Sequence, residues 1–412
     1  MSQLPLVDSV TSDQPDTPRV PEGFLFSSTI AGIKASGRPD LALAEAPHGA
    51  SAAAMFTRNR LAAAPLHVDR EHLKRTSGRV RAVLVNAGNA NCATGKAGIK
   101  AAQGVCRELG KLLEVDPHFV FPSSTGIIGV PLPAEKLVSA LPAILAGRSD
   151  SQEAFVNFAQ AILTTDTVRK IAEASFRVGG KEVRLLGAAK GSGMIHPKMA
   201  TMLVYLFTDI EAGARELQAA LKPAVEGSFN CISVDGDTST NDTVLLLASG
   251  KSGVKISQPA VKKKFQRALD QVCGSLAEQV IRDGEGAKHL VRLRIEQAKS
   301  VEEARTIARA IAHSPLVKTA WAGCDPNWGR ILSSIGNSEV PCDMSRISVF
   351  IGPHQVCRAG GAIEYDKAAA HQHMQQREYE ITVRLGRGKA SLKYLSCDLT
   401  VDYVHINADY ST

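Results

Sequence analysis

The chain predicts a mixed α/β fold of the α+β type. Two patterns carry that expectation. Short apolar runs bounded by turn residues, such as 79–86 and 202–207, read as buried strands, while longer segments with apolar residues at helical spacing, such as 100–113 and 260–281, read as amphipathic helices. The quantity of apolar sequence is a third observation. Of 412 residues, 44% are hydrophobic, enough to bury large cores, and the length sets a prior of two or three domains.

Bulk composition narrows the function classes. The formal charge of +7 is mild for this length, and the one tight basic run, Lys262-Lys-Lys264, sits within a helical pattern and reads as a solvated face. Aromatic residues make up 5% of the chain, which offers no stacking platform for nucleic acid, so no nucleic-acid partner is expected. The eight cysteines (Cys92, Cys106, Cys231, Cys273, Cys324, Cys342, Cys357 and Cys397) include no C-x-x-C pair and no histidine at zinc spacing. They read as small buried residues in a reducing compartment. Residues 1–20 are rich in Ser, Asp, Thr and Pro and read as a disordered tail rather than a signal peptide. No stretch approaches the length of a membrane span, so the expected location is the cytoplasm, with no membrane partner.

Taken in order, residues 23–33, 41–46 and 52–56 alternate loosely between turn residues, as strands do. Residues 79–86 form a clearer buried strand ending in the turn Ala87-Gly-Asn-Ala-Asn91, and 100–113 is helical. Residues 119–129 read as a strand that breaks into a turn at Ser124-Thr125-Gly126. Backbone N–H groups and a hydroxyl in such a turn can donate to a developing oxyanion, which needs fixed donors about 2.7–3.1 Å away. An ordinary glycine turn is the commoner outcome. Helical patterns follow at 134–145 and 152–163, and then the loop Thr164-Thr-Asp-Thr167. Residues 176–178 and 182–186 flank Gly179-Gly180 as a hairpin leading to Lys190, on local grounds an exposed cation.

In the second half, 214–221 is helical and Ser233-Val-Asp-Gly-Asp-Thr-Ser-Thr-Asn-Asp-Thr243 precedes a strand at 244–248. The acids Asp235, Asp237 and Asp242 lack the alternate-position register and distal Glu of a calcium loop, so a tightly hydrogen-bonded loop is expected. Residues 260–281 place Val261, Phe265, Leu269, Val272, Leu276 and Val280 on one helical face, with Gly284 as a stop and Glu285, locally a surface acid, just beyond. Residues 290–297 form a strand. Ser300-Val-Glu-Glu303 is a capping box opening a helix at 301–312, with Pro315 past its end. Residues 322–330 read as a Trp-containing surface loop. Strands at 347–351, 379–385 and 391–394 follow, the last pair turned by Gly386-Arg-Gly388. Gly388-Lys389 is not a P-loop, since Ala390 stands where Ser or Thr is required.

The most informative stretch lies at the midpoint: Lys190-Gly-Ser-Gly-Met-Ile-His-Pro-Lys-Met-Ala-Thr-Met-Leu203. Glycines and a proline let a loop take strained conformations, and the loop feeds Ala200, Thr201 and then an apolar strand. A cut between Ala200 and Thr201 would give Thr201 both a hydroxyl nucleophile and a free α-amine, whose reference pKa of about 7.7–8.0 suits a general base. The bland alternative is that Thr201 merely begins a buried strand.

Lys198-Met-Ala-Thr-Met-Leu203, inside that longer stretch, resembles the self-cleavage motif of the ornithine acetyltransferases, also called glutamate N-acetyltransferases. The resemblance runs from about residue 21 to 412, with the motifs in the family's order. It implies a self-cleaving, sandwich-like fold resembling the N-terminal-nucleophile enzymes, with an α chain of 21–200 and a β chain of 201–412 that begins with the nucleophile. It also implies cleavage between Ala200 and Thr201 and an oxyanion hole at Thr125 and Gly126. The implied substrate ligands are Thr165, Lys190, Thr201, Glu285, Asn407 and Thr412. Val168-Arg-Lys170 departs from the family's pattern, which has Pro ahead of the Lys. The implied reaction moves an acetyl group from N-acetylornithine to glutamate through acetyl-Thr201 in arginine biosynthesis. It needs no cofactor or metal, leaves acetyl-CoA open as a co-substrate, and belongs to a heterotetramer of two α and two β chains. An aminopeptidase or amidohydrolase on a related scaffold, and a non-catalytic binding protein with a structural Thr201, are the alternatives.

Overall fold

The computed structural model describes residues 17–196 and 202–409. Ala200 and Thr201, either side of the expected cut, and Thr412 lie outside the described residues, as do residues 1–16. Arg19 is already tied to the body: its N–H donates to Glu173 at 2.7 Å and its guanidinium meets Glu182 at 3.0 Å.

Apolar alternation builds a first sheet from β1 (Leu25–Thr29), β2 (Leu41–Phe56), β3 (Arg79–Asn89), β4 (Val120–Ile127), β5 (Lys170–Val178), β6 (Lys181–Lys190) and β7 (Leu203–Thr208). β8 (Ile232–Ser233) belongs to a second sheet, and β9 (Thr243–Ala248) returns to the first. The order is β4-β3-β2-β9-β7-β6-β5, with β1 pairing β2. The two separate strands expected at 41–46 and 52–56 are one. Pro47, His48 and Gly49 fall where the register shifts between Glu45 and Ala50, so they bend β2 rather than end it. Its first half pairs with β1 and β3, its second half with β9.

β7 and β9 run parallel at the centre with all their residues buried, as strands covered on both faces require. On one face lie the helices Ala214–Gly227 and Pro259–Arg282, the latter burying the stripe from Val261 to Val280. On the other, Phe24, Phe26, Phe155, Phe158 and Phe207 form an aromatic cluster in which Phe26 meets Phe207 edge-on at 4.9 Å and Phe155 at 5.0 Å. The helices Gly95–Leu112 and Ala134–Ala146 complete the cover over β2, β3 and β4.

The second sheet comprises β8, β10 (Leu290–Ala298), β11 (Ser348–Ile351), β12 (His354–Arg358), β13 (Gly361–Ala362), β14 (Glu378–Arg384) and β15 (Ala390–Cys397), in the order β13-β12-β11-β14-β10-β15-β8. The mixed α/β class is thus realised as two sheets with their own helical layers. Gly386-Arg387-Gly388 does not turn a hairpin: β14 and β15 lie on opposite sides of β10, parallel and antiparallel to it. The Gln297 carbonyl accepts from Arg387 at 2.8 Å and Gly388 at 2.9 Å, so this segment crosses the end of β10.

Two termini show how local chemistry sets the helices. Ser300 Oγ caps Val301–Ala312 by accepting from the Glu303 N–H at 3.1 Å, while the Glu303 carboxylate reaches the Lys299 N–H at 3.0 Å, one residue before the expected partner. The expected loop at 322–330 ends inside a helix, because Asn327 Oδ1 accepts from the Arg330 N–H at 3.2 Å and opens Trp328–Gly336. All eight cysteines are free.

Candidate active site

The site gathers at the C-terminal ends of β4 and β6, beside the end of the helix Pro259–Arg282. Ser124, Thr125 and Gly126 do not form a turn; β4 continues through them to Ile127 and stays paired with β3. Gly126 has φ of +131°, and a Cβ there would lie 2.3 Å from the Gly88 carbonyl carbon and 2.5 Å from the Asn89 nitrogen. Only glycine lets the two strand ends approach this closely.

Lys190, at the end of β6, is 4% exposed rather than a solvated cation, and its Nζ donates to Thr125 Oγ1 at 3.1 Å. Burial pushes its amine below the usual lysine range. The Asp166 carboxylate opposes that shift and the Lys170 ammonium adds to it. Asp166 is itself fully buried. Its Oδ1 accepts from the Gly191 N–H at 2.6 Å and from Lys170 Nζ at 2.7 Å, and its Oδ2 from the Thr164 N–H at 3.1 Å. Burial alone would raise this carboxyl; Lys170 and Lys190 outweigh it and hold it well below the ordinary carboxylate range. Lys170 also meets Asp283 Oδ2 at 2.6 Å, and Asp283 accepts the Thr167 N–H and hydroxyl. The loop Thr164–Thr167 is therefore clamped between β6 and the helix end, which brings Thr165 Oγ1 to 2.8 Å from Ser192 Oγ. The unexpected Val168-Arg169 leaves intact the lysine that does the clamping.

Glu285 reaches the same place from past the helix end. Its N–H donates to the Ser192 carbonyl at 3.0 Å, and its carboxylate lies so close over Gly193 that a Cβ there would be 2.3 Å from Oε2. The C-terminal helix Val401–Asp409 adds Asn407, whose Nδ2 donates to Glu285 Oε2 at 2.9 Å. The same helix is moored by the Tyr403 hydroxyl on Asp235 Oδ2 at 3.4 Å. Asp235, pushed by burial up to about 6, also accepts the N–H groups of Met194, Ile195 and Asp237. The Ser233–Thr243 run is thus the hydrogen-bonded loop its composition suggested. Asn241 ties it to the strand ends, donating to the carbonyls of Ala90 at 2.7 Å and Ser124 at 2.9 Å.

Thr125, Gly126, Thr165, Lys190, Glu285 and Asn407 line one open cleft. Each expected site residue within the described chain is at its wall. Beneath it, Thr125, Lys190, Met202, Asn241 and Asp242 line a smaller recess. Met202, the residue after Thr201, is held there by donating its N–H to Asp242 Oδ1 at 3.2 Å. Asp166, Ser192, Asn241 and Asp242 were not singled out from the sequence as site residues. Their signal was polar residues packed against motif residues in Thr164–Thr167, Lys190–Gly193 and Ser233–Thr243. A cation, a carboxylate backed by an amide, and several hydroxyls in one small cleft suit a zwitterionic amino acid.

Such a cleft on a two-sheet α/β scaffold defines an enzyme of small molecules rather than a binding surface for macromolecules. The chain belongs to the ArgJ family, whose pattern matches residues 25–412. It is 44% identical over 394 residues to the arginine biosynthesis bifunctional protein ArgJ of Methylococcus capsulatus, covering 95% of each chain. With the protein of the same name from Thermus thermophilus it shares 45% identity over 394 residues, covering 96% of this chain and 99% of that one. Among solved structures, the crystal structure of arginine biosynthesis bifunctional protein ArgJ from Bacillus halodurans matches 50% of this chain and 98% of its own, at 38% identity and a TM-score of 0.48. Among the described residues no helix is long and apolar enough to cross a membrane.

Proposed function

We propose that the chain is an ornithine acetyltransferase that cuts itself between Ala200 and Thr201 and then uses Thr201 to carry an acetyl group from N-acetylornithine to glutamate. The observation that carries this reading is the shared recess. Met202, held by Asp242, lines a recess together with Thr125 and Lys190, and those two also line the cleft with Gly126, Thr165, Glu285 and Asn407.

In self-cleavage the Thr201 hydroxyl attacks the Ala200 carbonyl, the amide becomes an ester, and water releases the two pieces. In catalysis Thr201 Oγ attacks the acetyl carbonyl of N-acetylornithine while its α-amine takes the hydroxyl proton and passes it to the departing ornithine nitrogen. Thr125 and Gly126 stabilise the oxyanion, a service whose loss typically costs about 10²–10³ in rate. Lys190 holds the substrate carboxylate, and Glu285, Asn407, Thr165 and Thr412 complete the binding set. Glutamate enters the vacated site and its amine takes the acetyl group. Acetyl-CoA is a second donor on this reading, supported by the name "bifunctional" that the relatives carry. The fragments remain together as two α and two β chains in the cytoplasm.

Incubating the purified protein with N-acetylornithine alone is expected to add the mass of one acetyl group to the fragment that starts at Thr201 and to release one equivalent of ornithine. Glutamate should then discharge it as N-acetylglutamate. Steady release of free acetate in place of transfer would point instead to the hydrolase alternative.

A further inference from the structure

One wall of the cleft hangs on a residue that the mechanism above does not use. Gly193, Met194, Glu285 and Asn407 line that wall, and Asp235 ties the loop that carries the first two to the helix that carries the last. Met194 has φ of +55°, a left-handed conformation that a residue other than glycine keeps only where its surroundings hold it. The hold is the Asp235 carboxylate. Its Oδ2 accepts the Met194 N–H at 2.5 Å and its Oδ1 the Ile195 N–H at 2.9 Å, two successive backbone donors turned toward one anion. The Asp237 N–H adds a third bond, to Oδ1 at 3.1 Å, and the Tyr403 hydroxyl a longer one, to Oδ2 at 3.4 Å. That last contact matters because the helix Val401–Asp409 buries none of its residues, so apolar packing does little to fix it. Other ties are the Thr400 hydroxyl on the Gly286 carbonyl at 2.8 Å, just before the helix, and Asn407 on Glu285 at 2.9 Å. The exposed Lys288–Asp402 pair at 3.5 Å contributes little.

The other walls have supports of their own. Gly126 is placed by the pairing of β4 with β3 and by Asn241 on the Ser124 carbonyl, while Lys170, Asp166 and Asp283 place Thr165 and Lys190. None of these contacts involves Asp235. We propose that Asp235 is a positioning residue for substrate binding: it fixes the Gly193–Ile195 loop and, through Tyr403, the helix that carries Asn407. It thereby sets how tightly the cleft takes its amino-acid substrate and leaves the rate of acetyl transfer to the opposite walls. This rests on the reading of the cleft as the site for N-acetylornithine. A contact that serves substrate and transition state alike appears in KM and not in kcat, which separates this role from that of the oxyanion donors. The residue is also within electrostatic reach of its wall: burial raises the Asp235 carboxyl, and the charges of Asp237 and Glu285 add to that rise against the Asp237 and Met194 N–H groups.

The test is steady-state acetyl transfer from N-acetylornithine to glutamate by the purified full-length protein, with kcat and KM for N-acetylornithine separated. Tyr403→Phe removes one hydroxyl at the end of the tie; it is expected to keep the wild-type melting temperature and kcat within about two-fold while KM rises about five-fold, the usual scale for one hydrogen bond to a charged group. Asp235→Ala releases the loop as well, and is expected to raise KM at least about ten-fold with kcat within about three-fold. Because Tyr403 acts through Asp235, adding Tyr403→Phe to Asp235→Ala is expected to raise KM no further. Tyr403→Phe decides the matter alone if the Asp235 variants fail to fold. An unchanged KM in folded Tyr403→Phe, a fall in kcat with KM intact in either single variant, or multiplying KM effects in the double variant overturns the proposal. Failure of the wild-type protein to use N-acetylornithine at all would instead overturn the reading on which the proposal rests.

Discussion

A Thr201→Ala variant is expected to remain a single chain of 43.8 kDa and to lose acetyl transfer by a factor on the order of 10⁴–10⁶. The two losses have one cause. Without Oγ no atom at this position attacks the Ala200 carbonyl, so the α-amine that serves as base is never released. Without Oγ there is also no acceptor for the acetyl group. The variant should still fold, because the anchoring of Met202 on Asp242 and the parallel pairing of β7 with β9 do not involve the missing hydroxyl. Mass spectrometry of the purified variant, with a transfer assay on the same sample, reads both effects. Efficient cutting at Ala200–Thr201 in this variant would remove Thr201 from the mechanism.

Lys170→Ala is expected to produce the largest loss of stability. Its ammonium is 0% exposed and sits between Asp166 Oδ1 at 2.7 Å and Asp283 Oδ2 at 2.6 Å. Removing it leaves two buried carboxylates facing a void, and breaking a buried ion pair in this way typically costs about 3–5 kcal/mol. The damage should extend to activity, because Asp166 holds the N–H groups of Thr164 and Gly191 and Asp283 holds Thr167. Those contacts place Thr165 and Lys190 in the cleft. Thermal unfolding followed by circular dichroism should show a lowered midpoint, and Lys170→Met, which fills the volume without the charge, should recover only part of it. A melting temperature equal to wild type in Lys170→Ala would mean that the clamp carries no net stabilisation.

The contrast between Lys170 and Lys190 and the elements around them shows what sequence reasoning reached. Hydrophobic spacing located the helix Val301–Ala312 and the hairpin of β5 and β6, because those signals are local: a capping serine, a Gly-Gly turn, a stripe of apolar residues. It misjudged Gly386-Arg387-Gly388, since two strands close in sequence share no hydrogen bond when a third lies between them, and pairing across the chain leaves no local trace. It also split β2 at Pro47, where a bend and an end look alike in the sequence. For the site, motif resemblance indicated which residues to examine, while Lys190 taken alone read as an exposed cation. Its burial, like that of Lys170, depends on carboxylates contributed by distant segments. Asp242 stood within a run read as a hydrogen-bonded loop once calcium was rejected, and its role as the anchor of Met202 follows from β7 and β9 lying side by side.

The most direct test of the account is intact-mass measurement and N-terminal sequencing of the purified wild-type protein. The account predicts two fragments that remain associated, one of them beginning Thr201-Met-Leu-Val-Tyr205. A single uncut chain, still intact after prolonged incubation yet competent to transfer acetyl groups from N-acetylornithine to glutamate, would contradict it.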